Sequence, residues 1–251
     1  MDQKTIHQLN QINRDFYAAA GAAFDASRQH VRAGWRKVLD HLDRAAAGGD
    51  PYRVLDVGCG NARFGRFLFD RLGAPLFYHG VDADTLLLRA ASANVPPDSA
   101  TLTQLDFITD IAQFRRLDGP YHCAVLNNVL HHVPSGALRR DLLTACADKL
   151  SAGGRLVFTM WLFWEKAKWR ARVTPWSAYP AIDAAQLEPH DYLLDWRRGA
   201  RALRYCHYID AAERDALIGA LERHGLRMVV MFRADGKEDD LNQYVIMQKQ
   251  P

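Results

Sequence analysis

The stretch that most constrains the fold is residues 53–62, which read Arg-Val-Leu-Asp-Val-Gly-Cys-Gly-Asn-Ala. Residues 53–57 form a short apolar run rich in β-branched side chains, which predicts a buried strand. After the glycines, helical spacing predicts a helix that carries Phe64, Phe67, Leu68 and Leu72. Gly58 and Gly60 lie in the turn, where the lack of a Cβ lets the backbone approach a ligand closely. Strand, glycine-rich turn and helix together predict the first half of a nucleotide-binding α/β unit.

The same turn argues against two common kinds of nucleotide site. A pyrophosphate-binding fingerprint has a third glycine where Arg63 stands, and the Gly-Lys-Ser/Thr of a P-loop is absent. Acidic residues lie instead at the ends of two apolar runs, with Asp56 in the first and Asp82 in the next. A carboxylate at the end of the second strand can accept hydrogen bonds from both hydroxyls of a ribose.

Composition bounds the class of protein. The chain has 251 residues, of which 49% are hydrophobic and 24% are charged, and we expect one globular domain over residues 1–251. No apolar stretch approaches the roughly 20 residues of a membrane span, and no signal-peptide pattern opens the chain, so a cytoplasmic location is expected. The four cysteines form no C-x-x-C pair, which predicts neither a disulfide framework nor a zinc site. The net charge of +3 does not by itself indicate a polyanionic partner.

The rest of the chain alternates predicted strands and helices. Further strands are predicted at residues 77–81, 101–105, 121–126, 155–161, 227–233 and 243–248. Two helices precede the glycine-rich turn within residues 1–50, and another follows at residues 86–94. Ser135 is expected to cap a helix that carries Leu138, Leu142, Ala145 and Leu150 on one face, and Asp210 and Glu213 form a capping box before the last helix.

Three motifs in order resemble one family. Asp-Val-Gly-Cys-Gly-Asn, Gly-Val-Asp-Ala-Asp and Leu-Asp-Phe, between Asp56 and Phe107, are similar to the cofactor motifs of class I S-adenosylmethionine (SAM)-dependent methyltransferases. The resemblance implies a Rossmann-like α/β fold, with a mostly parallel seven-stranded sheet and an antiparallel last strand. It also implies SAM as cofactor, leaving S-adenosylhomocysteine as the product.

The resemblance also divides the chain into segments. It implies a helical cover at residues 1–50, a cofactor-binding core at 51–161, an inserted lid at 162–204 and a C-terminal helix and hairpin at 205–251. Asp106 would accept the adenine amino group beside Phe107, and Arg28 would pair with the carboxylate of the methionyl moiety. Tyr17 and Arg28 are alternatively plain surface residues of the cover. The implied cofactor-binding residues are Tyr17, Arg28, Asp56, Gly58, Cys59, Gly60, Asp82, Ala83, Asp106, Phe107 and Asn127.

Residues 162–204, called the insertion below, break the α/β alternation. They hold the aromatic residues Trp164, Trp169, Trp176, Tyr179, Tyr192 and Trp196, interleaved with lysines and arginines. Aromatic rings that stack on unpaired bases, beside cations that contact phosphates, are typical of RNA recognition. The alternative is a lid whose aromatic rings pack on the sheet and whose cations are solvated.

A narrower resemblance covers nearly the whole chain. It rests on Phe24-Asp25-Ala26-Ser27-Arg28 before Trp35, Val129-Leu130-His131-His132-Val133 before Arg139-Arg140, Thr174-Pro175-Trp176, Arg204-Tyr205-Cys206-His207-Tyr208 and Asn242-Gln243-Tyr244-Val245. These segments resemble the tRNA methyltransferases that esterify 5-carboxymethyluridine at the wobble position, although the loop at residues 235–241 is longer and more acidic. The resemblance implies tRNA as a partner and allows a small activator protein. The implied substrate-binding residues are His131, Trp161, Trp176, Arg204, Tyr205 and His207.

A carboxylate acceptor simplifies the expected chemistry. It is already deprotonated at neutral pH and needs no general base, so no catalytic residue is predicted beyond those that position the reactants. Arg204, Tyr205 and His207 would hold it, or would instead be structural. The adjacent His131 and His132 cannot share an ion from one helical face, so no metal site is expected. Two alternatives stay open: a small-molecule O- or N-methyltransferase, and a non-catalytic scaffold that binds the cofactor.

Overall fold

The computed structural model describes residues 1–26, 30–73, 75–196 and 202–251. The strands are β1 (Tyr52–Val57), β2 (Leu76–Asp82), β3 (Ala100–Gln104), β4 (Tyr121–Leu126), β5 (Leu150–Trp161), β6 (Val173–Thr174), β7 (Asp191–Trp196), β8 (Ala202–His207), β9 (Leu226–Ala234) and β10 (Asn242–Lys249). The helices are α1 (Gln3–Ala26), α2 (Ala33–Leu39), α3 (Arg63–Arg71), α4 (Thr85–Ser92), α5 (Ile111–Arg115), α6 (Gly136–Asp148), α7 (Ala167–Arg170) and α8 (Ala211–Arg223).

Seven strands form the central sheet in the order β3-β2-β1-β4-β5-β10-β9. Strands β1 to β5 pair in parallel, whereas β10 is antiparallel to both β5 and β9. The predicted fold, a mostly parallel seven-stranded sheet with an antiparallel last strand, is confirmed. The strand order reverses between β1 and β4, and ligands of such sheets bind beyond the carboxyl ends of the strands at this point.

Helices cover both faces of the sheet. On one face Trp35 of α2 and Phe64 and Phe67 of α3 pack together over β1 and β2. On the other face α5, α6 and α8 pack over β4 and β5, where Phe114 and Leu143 are fully buried. The apolar periodicity of these segments therefore faces the sheet, as the sequence predicts.

One predicted helix boundary is wrong. Leu150 was expected on the apolar face of α6, but that helix ends at Asp148 and Leu150 begins β5 opposite Tyr121. The pairing of β4 with β5 shifts between Tyr121 and Cys123, and Gly153 has a φ of 76°. The glycine therefore accommodates an irregularity inside a long strand.

The insertion forms a second, antiparallel sheet in the order β6-β7-β8. The expected boundary between residues 204 and 205 falls inside β8. Helix α1 packs on β8, where Leu9 and Ile12 lie against Leu193 and Tyr205, and Asn13 Oδ1 accepts a hydrogen bond from Tyr205 N at 2.9 Å. The helix thus closes the outer edge of this sheet.

The helices of the described residues do not have the properties of membrane spans. None of their helices combines the length and the apolar character that a bilayer crossing requires.

Candidate functional site

A cavity of about 730 Å³ lies beyond the carboxyl ends of β1, β2 and β4, beneath α1. Nearly all the predicted cofactor residues line it: Tyr17, Asp56, Gly58, Cys59, Gly60, Asp82, Ala83, Asp106, Phe107 and Asn127. Arg28 lies outside the described residues. Of the predicted substrate residues, His131, Trp161 and Arg204 line the same cavity, whereas Trp176, Tyr205 and His207 do not.

The two motif glycines differ in what surrounds them. Both have a positive φ, 70° at Gly58 and 55° at Gly60, which favours glycine. A Cβ at Gly58 would meet Val129 Cγ2 at 2.5 Å, whereas one at Gly60 would meet nothing within 4 Å. Protein packing therefore explains the first glycine, and the space beside the second is open to the cavity.

Asp82 holds the glycine-rich turn in place. Its Oδ2 accepts a hydrogen bond from Gly60 N at 2.8 Å and its Oδ1 accepts one from Asp84 N at 2.9 Å. Burial raises the pKa of this carboxyl, although the backbone hydrogen bonds oppose the shift. Each oxygen keeps a lone pair that can accept from a ligand hydroxyl.

Asp56 is buried more deeply. Its Oδ2 accepts a hydrogen bond from Tyr78 Oη at 2.7 Å, and its Oδ1 has no hydrogen-bond partner among the described residues. Burial raises the pKa of Asp56 to about 7. The carboxyl thus lies under the turn, bonded to the neighbouring strand.

Asp106 connects the cavity to its helical cover. Its Oδ2 accepts hydrogen bonds from Asn10 Nδ2 at 2.8 Å and from Arg14 Nη1 at 3.2 Å. Further along α1, Tyr17 Oη lies 3.2 Å from His132 Nε2. The sequence analysis missed Asn10 and Arg14. Their spacing of four, with Tyr17 three residues later, marks a polar stripe beside the apolar face and could have identified them.

The floor of the cavity at the end of β4 carries amides without partners. Both amide atoms of Asn127 and Nδ2 of Asn128 are buried and have no hydrogen-bond partner among the described residues. Buried polar atoms are nearly always hydrogen-bonded in native proteins. A polar ligand at this position would satisfy them, so this part of the cavity fits the amino-acid end of a cofactor such as SAM.

Arg204 is a buried cation on the cavity wall. The residue is only 2% exposed. Within the described ranges, its guanidinium forms no hydrogen bond or ion pair. Its Cζ lies 4.7 Å from the ring centre of Trp161, and further rings surround it at 5.5–6.0 Å, namely Phe16, Trp169 and Trp196. Cation–π contacts offset part of the desolvation penalty of the guanidinium.

The structure corrects the expectation for Tyr205 and His207. They share a face of β8, but that face points to Asp191, which accepts hydrogen bonds from Tyr205 Oη and His207 Nδ1, both at 2.7 Å. Trp176 joins the same cluster, since its Nε1 donates to Asp191 O at 3.1 Å. These three residues therefore stabilise the inserted sheet, and none of them reaches the cavity.

The cluster continues into the core through His207 and Arg139. His207 Nε2 lies 2.6 Å from Glu213 Oε2, and Arg139 donates to Glu213 at 2.6 Å and to Glu188 at 2.8 Å. Burial lowers the pKa of His207, but the hydrogen bonds to Asp191 and Glu213 outweigh it and raise the pKa overall. For Glu213 the signs are opposite. Burial raises the pKa of this acid, but its hydrogen bonds to His207 and Arg139 outweigh burial and lower the pKa overall.

Only half of the predicted capping box forms. Asp210 Oδ1 accepts a hydrogen bond from Glu213 N at 2.8 Å and caps α8. The Glu213 carboxylate bonds to Arg139 and His207 instead of closing the box. Glu213 therefore joins α8 to α6 and to the inserted sheet.

The aromatic and basic residues of the insertion mostly have partners within the protein. Trp164 stacks on Tyr192 at 4.3 Å, and Lys166 pairs with Glu238 and Asp240 of the acidic loop. Arg172 lies 4.8 Å from the ring centre of Trp169. This agrees with the alternative of a packed lid. Arg197, Arg198 and Arg201 lie outside the described residues.

The adjacent histidines meet, contrary to expectation. They lie on a 3-10 turn, Leu130–His132, with ring centres 4.1 Å apart, and a ligand atom of each falls within 4.8 Å of the other and of Cys206 Sγ. The sequence argument assumed helical geometry, which separates neighbouring side chains. Glu188, Asp191 and His207 also have ligand atoms within 4.8 Å of one another, and they lie within the ion-pair cluster described above.

Comparison with known proteins shows the family. The pattern of the methyltransferase domain family matches residues 27–230, so the chain belongs to that family. No curated protein matches the sequence.

Solved structures share the fold at low sequence identity. SAM-bound CalS10, an amino pentose methyltransferase from Micromonospora echinaspora, has 17% identity and a TM-score of 0.61 over 92% of this chain and 96% of its own. A SAM-dependent methyltransferase from Methanosarcina mazei has 16% identity and a TM-score of 0.57, over 83% and 98%. The N-methyltransferase NodS from Bradyrhizobium japonicum, with S-adenosylhomocysteine bound, has 13% identity and a TM-score of 0.50, over 86% and 87%. Family and fold together identify a SAM-dependent methyltransferase with SAM as its cofactor.

Proposed function

We propose that this enzyme transfers the methyl group of SAM to a carboxylate of its acceptor, forming a methyl ester, and that the acceptor is a carboxymethylated wobble uridine in tRNA. The observation that carries the proposal is Arg204, a buried cation on the cavity wall that has no counter-ion among the described residues. A planar guanidinium binds a carboxylate through two parallel hydrogen bonds. The resemblance of the sequence to the wobble-uridine enzymes supplies the identity of the carboxylate.

The proposal assigns the cofactor to the other half of the cavity. Asp82 would accept from the ribose hydroxyls, Asp106 and Phe107 would border the adenine, and Asn127 would bond the methionyl end. Bound there, SAM supplies a methyl group already activated by its sulfonium. The protein has to hold the acceptor oxygen in line and exclude water.

Arg204 acts in this scheme by orientation. A carboxylate is ionised at neutral pH and needs no proton removed before it attacks. The rings around Arg204 keep water away, which strengthens its attraction for an anion. Once the ester forms, the acceptor loses its charge and binds the guanidinium less strongly, which favours product release.

The same cation disfavours an amine as the acceptor. CalS10 is described as an amino pentose methyltransferase and NodS as an N-methyltransferase. An ammonium group beside Arg204 would meet a like charge in a poorly solvated site, and like charges there repel strongly. We therefore place the acceptor atom on oxygen.

A compact carboxylated metabolite is the second candidate. It is favoured by the internal packing of the insertion, where Trp164, Trp169 and Trp176 contact other parts of the protein and large exposed aromatic rings are absent from the described residues. A tRNA acceptor would then have to present a single flipped base to the enclosed cavity.

Radiolabel transfer from SAM separates these candidates. The purified protein is incubated with bulk tRNA or with a metabolite extract, and the labelled product is treated with mild alkali. A methyl ester releases its label as methanol, whereas an N-methyl group keeps it. The proposal predicts alkali-labile label in tRNA that is lost in Arg204→Met and partly kept in Arg204→Lys.

The controls cover the remaining alternatives. Alkali-stable label in either pool contradicts ester formation, and label confined to metabolites selects the second candidate. Cofactor binding without turnover, even after cell extract is added to supply an activator protein, would favour a scaffold. Binding to tRNA should also weaken as salt rises if cations contact phosphates.

A further inference from the structure

Asn242, at the start of β10, offers the cavity a fixed hydrogen-bond acceptor. The residue is 1% exposed and lines the cavity. Its Nδ2 donates to Asp235 Oδ2 at 2.7 Å, while its Oδ1 is buried and has no partner among the described residues. A carboxylate only accepts hydrogen bonds, so a flip of the amide that exchanged its nitrogen and oxygen would lose the bond to Asp235. The unpaired atom is therefore an acceptor, and it requires a donor from a ligand.

Asp235 is itself held rigidly. Its Oδ1 accepts from Gly34 N at 3.0 Å, and its Oδ2 also accepts from Tyr244 Oη at 2.6 Å. Arg32 Nη1 lies 3.8 Å from the same oxygen and contributes a positive charge. Donors from α2 and β10 thus fix the carboxylate, and the carboxylate fixes the Asn242 amide.

The register of the sheet places Asn242 beside the Arg204 site. Asn242 lies directly opposite Trp161 in the antiparallel pair of β10 and β5, so both side chains point to the same face. Arg204 Cζ in turn lies 4.7 Å from the centre of the Trp161 ring. Asp82, in contrast, ends β2, and β1, β4 and β5 separate that strand from β10. Asn242 therefore lies on the acceptor side of the cavity.

We propose that Asn242 Oδ1 accepts a hydrogen bond from an N–H group of the methyl acceptor while Arg204 holds the carboxylate of the same molecule. Asn242 is then a specificity-determining residue, and the acceptor class is a ring or amide with an N–H donor and an attached carboxylate. A uracil ring with its imide N–H belongs to this class, and that identification rests on the proposed function. An acceptor without the donor would leave Oδ1 buried and unpaired, which sites of this kind reject.

A matched pair of ligands tests the proposal. 5-Carboxymethyluridine has one ring N–H, at N3, and its N3-methyl derivative has none. Titration calorimetry on protein saturated with S-adenosylhomocysteine should show that the wild type binds the first about tenfold or more tightly than the second. This preference is a property of the wild-type protein and does not depend on how any variant folds.

Two substitutions locate the preference. Asn242→Leu is similar in size and lacks the acceptor, so it should bind both ligands equally and bind S-adenosylhomocysteine as the wild type does. Gln243→Leu changes the next residue of β10, whose side chain points to the opposite face, and should keep the preference. Arg204→Met should weaken both ligands by the same factor.

Several results would overturn the inference. These are equal binding of the two ligands by the wild type, binding of neither, or a preference that persists in Asn242→Leu. A loss of S-adenosylhomocysteine affinity in that variant would assign Asn242 to the cofactor instead. If the N–H preference holds and disappears in Asn242→Leu while no label enters tRNA, the inference stands and the tRNA acceptor fails.

Discussion

Two buried arginines in this protein have opposite surroundings. Arg139 on α6 is 1% exposed and donates to Glu213, Glu188 and the Val133 carbonyl. Arg204 on β8 is 2% exposed and faces aromatic rings. Both side chains are buried, but within the described structure only that of Arg139 has hydrogen-bond partners.

The difference predicts which cation stabilises the fold and which is available for binding. A buried ion pair is strongly destabilised when one partner is removed, because the other partner is left uncompensated. A buried cation without a partner is already unfavourable, and an apolar replacement removes that penalty. Arg139 should therefore matter for folding and Arg204 for binding, a contrast that the following substitutions test.

The largest effect is expected from Arg139→Met. It leaves the carboxylates of Glu188 and Glu213 without their shared cation, and we expect a loss of about 3 kcal/mol, since both acids are partly exposed. Thermal unfolding should shift down by roughly 6–12 °C for a chain of this size. A melting temperature unchanged within error would contradict a structural role for Arg139.

Arg204→Met should act on catalysis and leave stability alone. The melting temperature should stay the same or rise, while kcat/KM falls about 100-fold through the loss of a charged hydrogen-bonded contact to the acceptor. SAM affinity, measured by calorimetry, should not change. If Arg204→Met unfolds as readily as Arg139→Met, the contrast between the two arginines fails.

Asp82→Ala tests the cofactor half of the cavity against the acceptor half. The carboxylate accepts from Gly60 N and, in the proposed function, from the ribose hydroxyls, so its removal should weaken SAM binding by about 10–100-fold. The acceptor KM should change little. Asp110→Ala serves as control, since Asp110 caps α5 through Gln113 N away from the cavity, and should lower stability by about 1 kcal/mol without altering SAM binding.

The smallest effect concerns pH and the Arg139 cluster. His207 has a raised pKa in the folded protein, so its contribution is fully present below its unfolded value, near pH 6.5, and is lost as pH rises through the folded value. We expect about 1 kcal/mol less stability at the alkaline end, measured by urea unfolding between pH 6 and 9. His207→Gln should flatten this slope.

His79, another buried histidine, affects the stability of the protein at acidic pH. Burial lowers the pKa of His79 to about 4, so its protonation opposes folding only as the pH falls below about 6.5. Asp56, whose pKa burial raises to about 7, also lowers stability as the pH rises to that value, so His207 is assigned only the part of the slope that His207→Gln removes. A variant of His207 with an unchanged alkaline slope would show that another group titrates there.

The convergence of Asp82, Asp106 and the motif turn on one cavity could be predicted because each is local to a strand end. Asp82 and Asp106 follow β2 and β3 directly, and the motif turn follows β1. Parallel strands bring such positions to one edge of the sheet, so short motifs far apart in sequence converge there.

The acceptor half depends on register, which short motifs do not reveal. The resemblance implies one site for Arg204 and Tyr205, but adjacent residues of a strand point to opposite faces. Their separation could have been inferred once β8 was accepted as a strand. The Asp191 partner of Tyr205 could not, because only the pairing of β7 with β8 brings them together.

The contact between α1 and β8 has a consequence for how the protein is made. Asn13 and Tyr205 are 192 residues apart, so α1 leaves the ribosome long before the strand whose edge it closes. Its apolar face, with Leu9, Ile12 and Phe16, has no final partner until the intervening residues have been synthesised. Helix α1 is therefore synthesised well before it can dock, and the cavity beneath it closes only after β8 has been made.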